Sequence, residues 1–147
     1  MGHLGLTPQA IRTMGGYKVQ GRTFEDAQNL VTAALRLEEA GCFALVLEGV
    51  PAEVASVITE ALSIPTIGIG AGIDCDGQVL VIHDLLGISE QPLPRFVTPY
   101  AQVSEISVEA LRRWMEDVRT CQTPTDDQSY HLSEKTAALW REAHSEA

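Results

Sequence analysis

Glu48 stands where the apolar run Phe43-Ala44-Leu45-Val46-Leu47 stops and Gly49-Val50-Pro51 begins. Such a run reads as a buried strand, and a carboxylate at its carboxyl end faces the loop mouths where parallel α/β proteins collect catalytic groups. It could be such a catalytic group, or an ordinary strand-end carboxylate exposed to water. His83-Asp84 follows another apolar run and could orient a substrate or close a turn. His3 has no second histidine or carboxylate at metal-ligand spacing nearby, so alone it signals nothing. Gly68-Ile69-Gly70-Ala71-Gly72 lacks the third glycine of a dinucleotide loop, because Ile73 occupies that place. It fits a tight strand-end turn that a ligand or a neighbouring backbone can approach closely. Asp74-Cys75-Asp76-Gly77 starts like a calcium loop but has Val79 at the sixth position and Leu85 at the twelfth, where glycine and glutamate are needed.

These residues need elements to hold them. Thr23 and Asp26 open a helix whose apolar face is Ala27, Leu30, Val31, Ala34 and Leu37, and Gly41 stops it. A strand over 43–47 follows. Pro51, at a first helical position, then introduces a helix over 52–62 that buries Val54, Ile58, Ala61 and Leu62. Thr66 to Ile69 and Gln78 to Ile82 read as two further strands, continuously apolar as in parallel sheets buried on both faces. The alternation predicts α/β architecture with loops at the strand ends from Glu48, from Gly70 to Gly77 and from His83. Pro92, Pro94 and Pro99 mark a surface connection. Ser107 is expected to cap a helix reaching Arg119, residues 120–131 to be irregular, and Ser133 to Ala143 to form a short amphipathic helix.

The composition, 45% hydrophobic and 20% charged, suits a packed domain. A formal charge of −10 disfavours nucleic-acid and anionic-membrane partners and leaves small molecules as the better class. The three cysteines, Cys42, Cys75 and Cys121, contain no CxxC pair, which suggests reduced thiols rather than disulfides or a zinc knuckle. No apolar stretch approaches the roughly 18 residues of a membrane span, and the start lacks a basic region followed by an apolar one. Position 6 is Leu, which excludes the myristoylation pattern that Met1-Gly2 would otherwise suggest. The expected location is the cytoplasm.

Four segments taken together are more specific. Gly2-His3-Leu4-Gly5-Leu6-Thr7-Pro8-Gln9 and Gly15-Gly16-Tyr17-Lys18-Val19-Gln20-Gly21-Arg22 come first. Leu45-Val46-Leu47-Glu48 with Val50-Pro51, and Ile64 through Gly72 with Asp74-Cys75-Asp76-Gly77-Gln78, complete the set. In this order they resemble the ketopantoate (3-methyl-2-oxobutanoate) hydroxymethyltransferase family from Met1 to about His131. The resemblance implies the C-terminal half of a (βα)8 TIM barrel, with parallel strands five to eight over residues 1–120 and a tail over 121–147. It implies transfer of a one-carbon unit from 5,10-methylenetetrahydrofolate to 3-methyl-2-oxobutanoate, giving 2-dehydropantoate on the route to pantothenate and coenzyme A. Glu48 matches the family's proton acceptor, and His3 matches a residue near the substrate. Mg2+ holds the keto acid in the family, but the acidic residues that bind it, and a substrate lysine, belong to the N-terminal half that has no counterpart here.

A complete barrel of this type takes about 250 residues, against 147 in this chain. With the base present and the metal ligands absent, the chain is expected to be inactive alone. Two open sheet edges would favour a homo-oligomer or association with a separate N-terminal half. Two alternatives accompany this reading. One is a magnesium-dependent carbon–carbon lyase of the phosphoenolpyruvate mutase and isocitrate lyase type, which shares barrel and enolate chemistry. The other is a non-catalytic remnant or partner subunit of the transferase.

Overall fold

The computed structural model describes residues 1–7, 19–89 and 92–145. Pro8-Gln9 and Gly15 to Lys18, parts of two motifs above, lie outside the described residues. The chain forms two compact units, residues 1–102 and 103–147.

The first unit is built on a four-stranded parallel sheet, ordered β1 (Gly2–Gly5), β2 (Leu45–Glu48), β3 (Thr66–Ile69) and β4 (Gly77–Gln78). Neighbours in space are neighbours in sequence, the order a (βα)8 barrel uses, whereas a doubly wound sheet reverses it. Helices α1 (Phe24–Glu39) and α2 (Ala52–Ala61) make the β1–β2 and β2–β3 crossovers. The Thr23 hydroxyl accepts the Asp26 N–H at 3.1 Å and starts α1. Gly41, at φ +90, ends it as the Cys42 N–H donates to the Leu37 carbonyl. Pro51 is the N-cap of α2 rather than its first helical residue.

Burial alternates along β2 and β3. Leu45, Leu47 and Thr66 are wholly buried, and the two leucines form one core with Ala34 of α1 and Ala55 and Ile58 of α2. Complete burial of a leucine or isoleucine stabilises the fold by roughly 1.5–3 kcal/mol. The register sets His3, Val46 and Ile67 in one row on the opposite face, and Gly5, Glu48 and Ile69 in the next.

The strands differ in extent from the expectation. β2 covers 45–48, so Glu48 is its last residue and Phe43 lies outside it, largely exposed. The expected strand over 78–82 shrinks to Gly77–Gln78, with one further bond from the Val79 N–H to the Gly68 carbonyl. Its template ends there, because β3 stops at Ile69 and Gly70, at φ +63, turns the chain away. Ile82–Leu85 forms a short helix, α3, which places His83 and Asp84 in a helical turn and not at a strand end.

Two carboxylates fasten loops to this frame. Glu38 accepts the Ser63 hydroxyl at 2.6 Å and the backbone N–H groups of Ser63 and Ile64. Asp76 accepts the N–H and the hydroxyl of buried Thr66, at 2.8 and 3.1 Å, and so holds the β3–β4 loop to the foot of β3. The Ser63 hydroxyl foremost lowers the pKa of Glu38 from its ordinary 4.5, and the Thr66 N–H foremost lowers that of Asp76 from 3.8. The unfolded chain therefore takes up protons first as pH falls. The stability contributed by these bonds is complete above the ordinary values and lost as pH falls through the lowered ones. Unfolding midpoints from circular dichroism should drop in that acid range, and the double variant Glu38→Gln, Asp76→Asn should show a flatter profile. Identical slopes would refute the assignment.

The second unit contains α4 (Val103–Arg119), a 3-10 turn at Asp126–Gln128, and α5 (Glu134–Ala143) capped by Ser133. α4 starts four residues before the expected cap; the Ser107 hydroxyl lies inside it and donates back to the Val103 carbonyl at 2.7 Å. Among the described residues no helix is long and apolar enough to cross a membrane.

Candidate active site

Three strands end at one level, each at a glycine with positive φ: Gly5 closes β1, Gly49 follows β2 and Gly70 follows β3. Only glycine enters this conformation without strain, so the backbones can turn outward together and leave a mouth above the sheet. Main-chain bonds lock that rim. The Leu6 N–H donates to the Glu48 carbonyl at 2.7 Å, and the Gly49 N–H to the Ile69 carbonyl at 2.9 Å.

Glu48 stands on this rim with its side chain 15% exposed. The residue opposite it on β1 is Gly5, which offers no side chain, so the nearest β1 side chain on that face is His3, two residues earlier. His3 Nε2 lies 3.0 Å from Glu48 Oε2. The contact lacks the alignment of a hydrogen bond, and Nε2, itself shut off from solvent, has no hydrogen-bond partner among the described residues. A proton on Nε2 would face the carboxylate charge directly. Oε1 of Glu48 makes no hydrogen bond among the described residues.

On its other side Glu48 borders a cavity of about 680 Å³. Its floor is the strand-end residues Gly49, Ile69 and Gly70, and its walls include Leu6, Val19 and Val81. Part of its lining comes from the proline-rich stretch that the sequence assigns to a surface connection. Pro92, Leu93, Pro94, Arg95 and Phe96 all line the cavity. Phe96 lies against Gly70, where an added Cβ would fall 2.5 Å from the ring. Asp84 also lines the cavity, and its carboxylate accepts the Ser89 hydroxyl at 2.5 Å. The volume falls within the range of small-molecule sites, and the lining is apolar with a few polar groups, as such sites are.

The expected site residues therefore separate into two groups. Glu48 and His3 meet, although His3 borders a different groove against α1 together with Asn29 and Arg36. His83 is exposed, and Asp76 is a structural anchor. Phe96 escapes sequence reading because its contact with Gly70 is remote in the chain; the one local signal is an aromatic and a cation together, Arg95-Phe96, in an otherwise proline-broken stretch. Among the described residues no group of three His, Cys, Asp or Glu side chains could hold a metal ion.

A family profile described as ketopantoate hydroxymethyltransferase matches residues 1–126. The chain is 56% identical over 135 residues to 3-methyl-2-oxobutanoate hydroxymethyltransferase 2 of Bradyrhizobium diazoefficiens, covering 92% of this chain and 46% of that protein. Against the 3-methyl-2-oxobutanoate hydroxymethyltransferase of Koribacter versatilis the identity is 51% over 138 residues, 94% of this chain and 47% of the relative. The Pelobacter propionicus protein of the same name is 53% identical over 131 residues, 89% of this chain and 48% of the relative. The chain thus spans about half the length of the curated relatives it matches. A profile match over most of the chain, together with relatives 51–56% identical over about nine-tenths of it, shows that the chain belongs to the ketopantoate hydroxymethyltransferase family.

Proposed function

We propose that this chain supplies the base-bearing part of a hydroxymethyltransferase site, acting on 3-methyl-2-oxobutanoate with 5,10-methylenetetrahydrofolate as one-carbon donor and yielding 2-dehydropantoate for pantothenate synthesis. The observation that carries this reading is a strand-end carboxylate with one oxygen against His3 and the other uncommitted, at the lip of a largely apolar cavity. The C3–H of the keto acid is acidified by the adjacent ketone. Glu48 Oε1 accepts that proton, and the C3 carbon of the resulting enolate attacks the methylene carbon; both methylene–nitrogen bonds break, one water supplies the hydroxyl oxygen, and tetrahydrofolate leaves with its nitrogens reprotonated. His3 faces Oε2 at 3.0 Å, and Oε1 makes no hydrogen bond among the described residues, which leaves it available to the substrate. The apolar walls limit water, which would otherwise hydrolyse the donor.

Magnesium, which the family resemblance implies, does not fit the described residues, since no cluster of candidate ligands exists among them. An ion in the complete site would draw its ligands from elsewhere. The chain by itself is accordingly expected to show no magnesium-dependent rise in melting temperature and no magnesium-dependent exchange of the C3 hydrogen in deuterated water. Proton NMR of the keto acid reads the exchange, and an effect of the ion in either measurement would contradict this. Cytoplasmic residence and a homo-oligomer, or pairing with an N-terminal portion at the sheet edges β1 and β4, complete the proposal; a monomer by size-exclusion chromatography would count against the last point.

The function is tested by joining the N-terminal half of the Bradyrhizobium relative ahead of Met1. The joined chain should convert the keto acid to 2-dehydropantoate only when methylenetetrahydrofolate is supplied. A joined chain that folds with a cooperative melt yet forms no product overturns the proposal.

A further inference from the structure

One cationic lining group of the cavity has no part in the proton transfer: Arg95. Arg95 and Phe96 are the middle residues of a turn closed by the Val97 N–H on the Pro94 carbonyl at 2.9 Å. The turn is fixed at two points, because the Phe96 ring lies against Gly70 and Val97 is buried. Its guanidinium makes no ion pair and no hydrogen bond among the described residues, although Glu48 and Asp84 line the same cavity. Asp84 is already engaged by Ser89. Two carboxylates in the walls would repel an anionic ligand, and Arg95 is the one cation among the described lining residues that offsets them. A guanidinium presents planar paired N–H donors that match a carboxylate, which a point charge does not.

We infer that Arg95 is a substrate-binding residue that receives a carboxylate of the bound reactant in the Glu48 cavity. The inference rests on the transferase reading of that site, in which both reactants carry carboxylates: the keto acid itself, and the glutamyl tail of the folate.

The test uses the full 147-residue chain, with binding followed by NMR at the Arg95 Nε–Hε resonance. The ligands are 3-methyl-2-oxobutanoate, its neutral counterpart 3-methyl-2-butanone, and tetrahydrofolate bearing one or three glutamates. Arg95→Gln should weaken at least one acid about tenfold or more and leave the neutral ketone unchanged. Loss confined to the keto acid identifies its carboxylate as the ligand; loss that grows with glutamate number identifies the tail. Equal affinities of wild type and Arg95→Gln for every acid, with both proteins melting alike, overturn the inference. If neither reactant binds the wild type, the transferase reading is decided by product formation in the joined chain, and succinate decides carboxylate recognition. A shifted Arg95 resonance upholds carboxylate recognition, and an unmoved one ends it.

Discussion

Glu48→Gln in the joined chain should lower kcat by about 10²- to 10⁴-fold and leave KM for the keto acid within a few-fold. The amide keeps the shape of the side chain and its place at the end of β2, so what is lost is the capacity to take a proton from carbon. It also removes the charge facing His3 Nε2 at 3.0 Å. Two measurements separate chemistry from folding. Exchange of the C3 hydrogen in deuterated water reports the base alone, and the melting temperature reports the packing of the half-buried side chain. Exchange within tenfold of wild type would remove Glu48 from the role of base, whatever the rate of product formation.

Gly5→Ala is expected to destabilise the chain by about 2–4 kcal/mol and to disturb the rim that carries Glu48. Two costs combine. Gly5 has φ +89, a region that costs an L-residue roughly 1–2 kcal/mol. The added Cβ would also collide with the Glu48 carbonyl oxygen and lie 2.6 Å from Val50 Cγ2. That carbonyl is the acceptor for the Leu6 N–H, so relief of the collision must break a rim bond or move Glu48. Gly41→Ala is the matched control: its φ is +90, yet nothing lies within 4 Å of the added carbon. Urea unfolding midpoints should therefore place Gly5→Ala well below Gly41→Ala, the difference being the collision alone. Equal losses at the two sites would show that the rim yields without strain.

Much of the frame was legible locally. The capping pair Thr23 and Asp26, the stop at Gly41 and the apolar runs reveal α1, β2 and β3, since each depends on residues within one helical turn or one strand. The end of β4 was not legible, because Val79 to Ile82 has strand-forming residues but loses its template when β3 turns at Gly70. The start of α4 was misread for a related reason: a serine at a helix end and a serine bonded back within a helix look alike in sequence.

The chain's residue order, taken alone, determined the parallel α/β pattern, the family resemblance and the position of Glu48 at a strand end, all of which follow from runs and motifs contiguous in the chain. Only the tertiary structure decided that His3 meets Glu48, because the β1–β2 register brings together residues separated by a whole helix. It likewise decided that a proline-broken stretch lines the cavity, since the Phe96 ring against Gly70 is a contact between distant segments that no local pattern encodes.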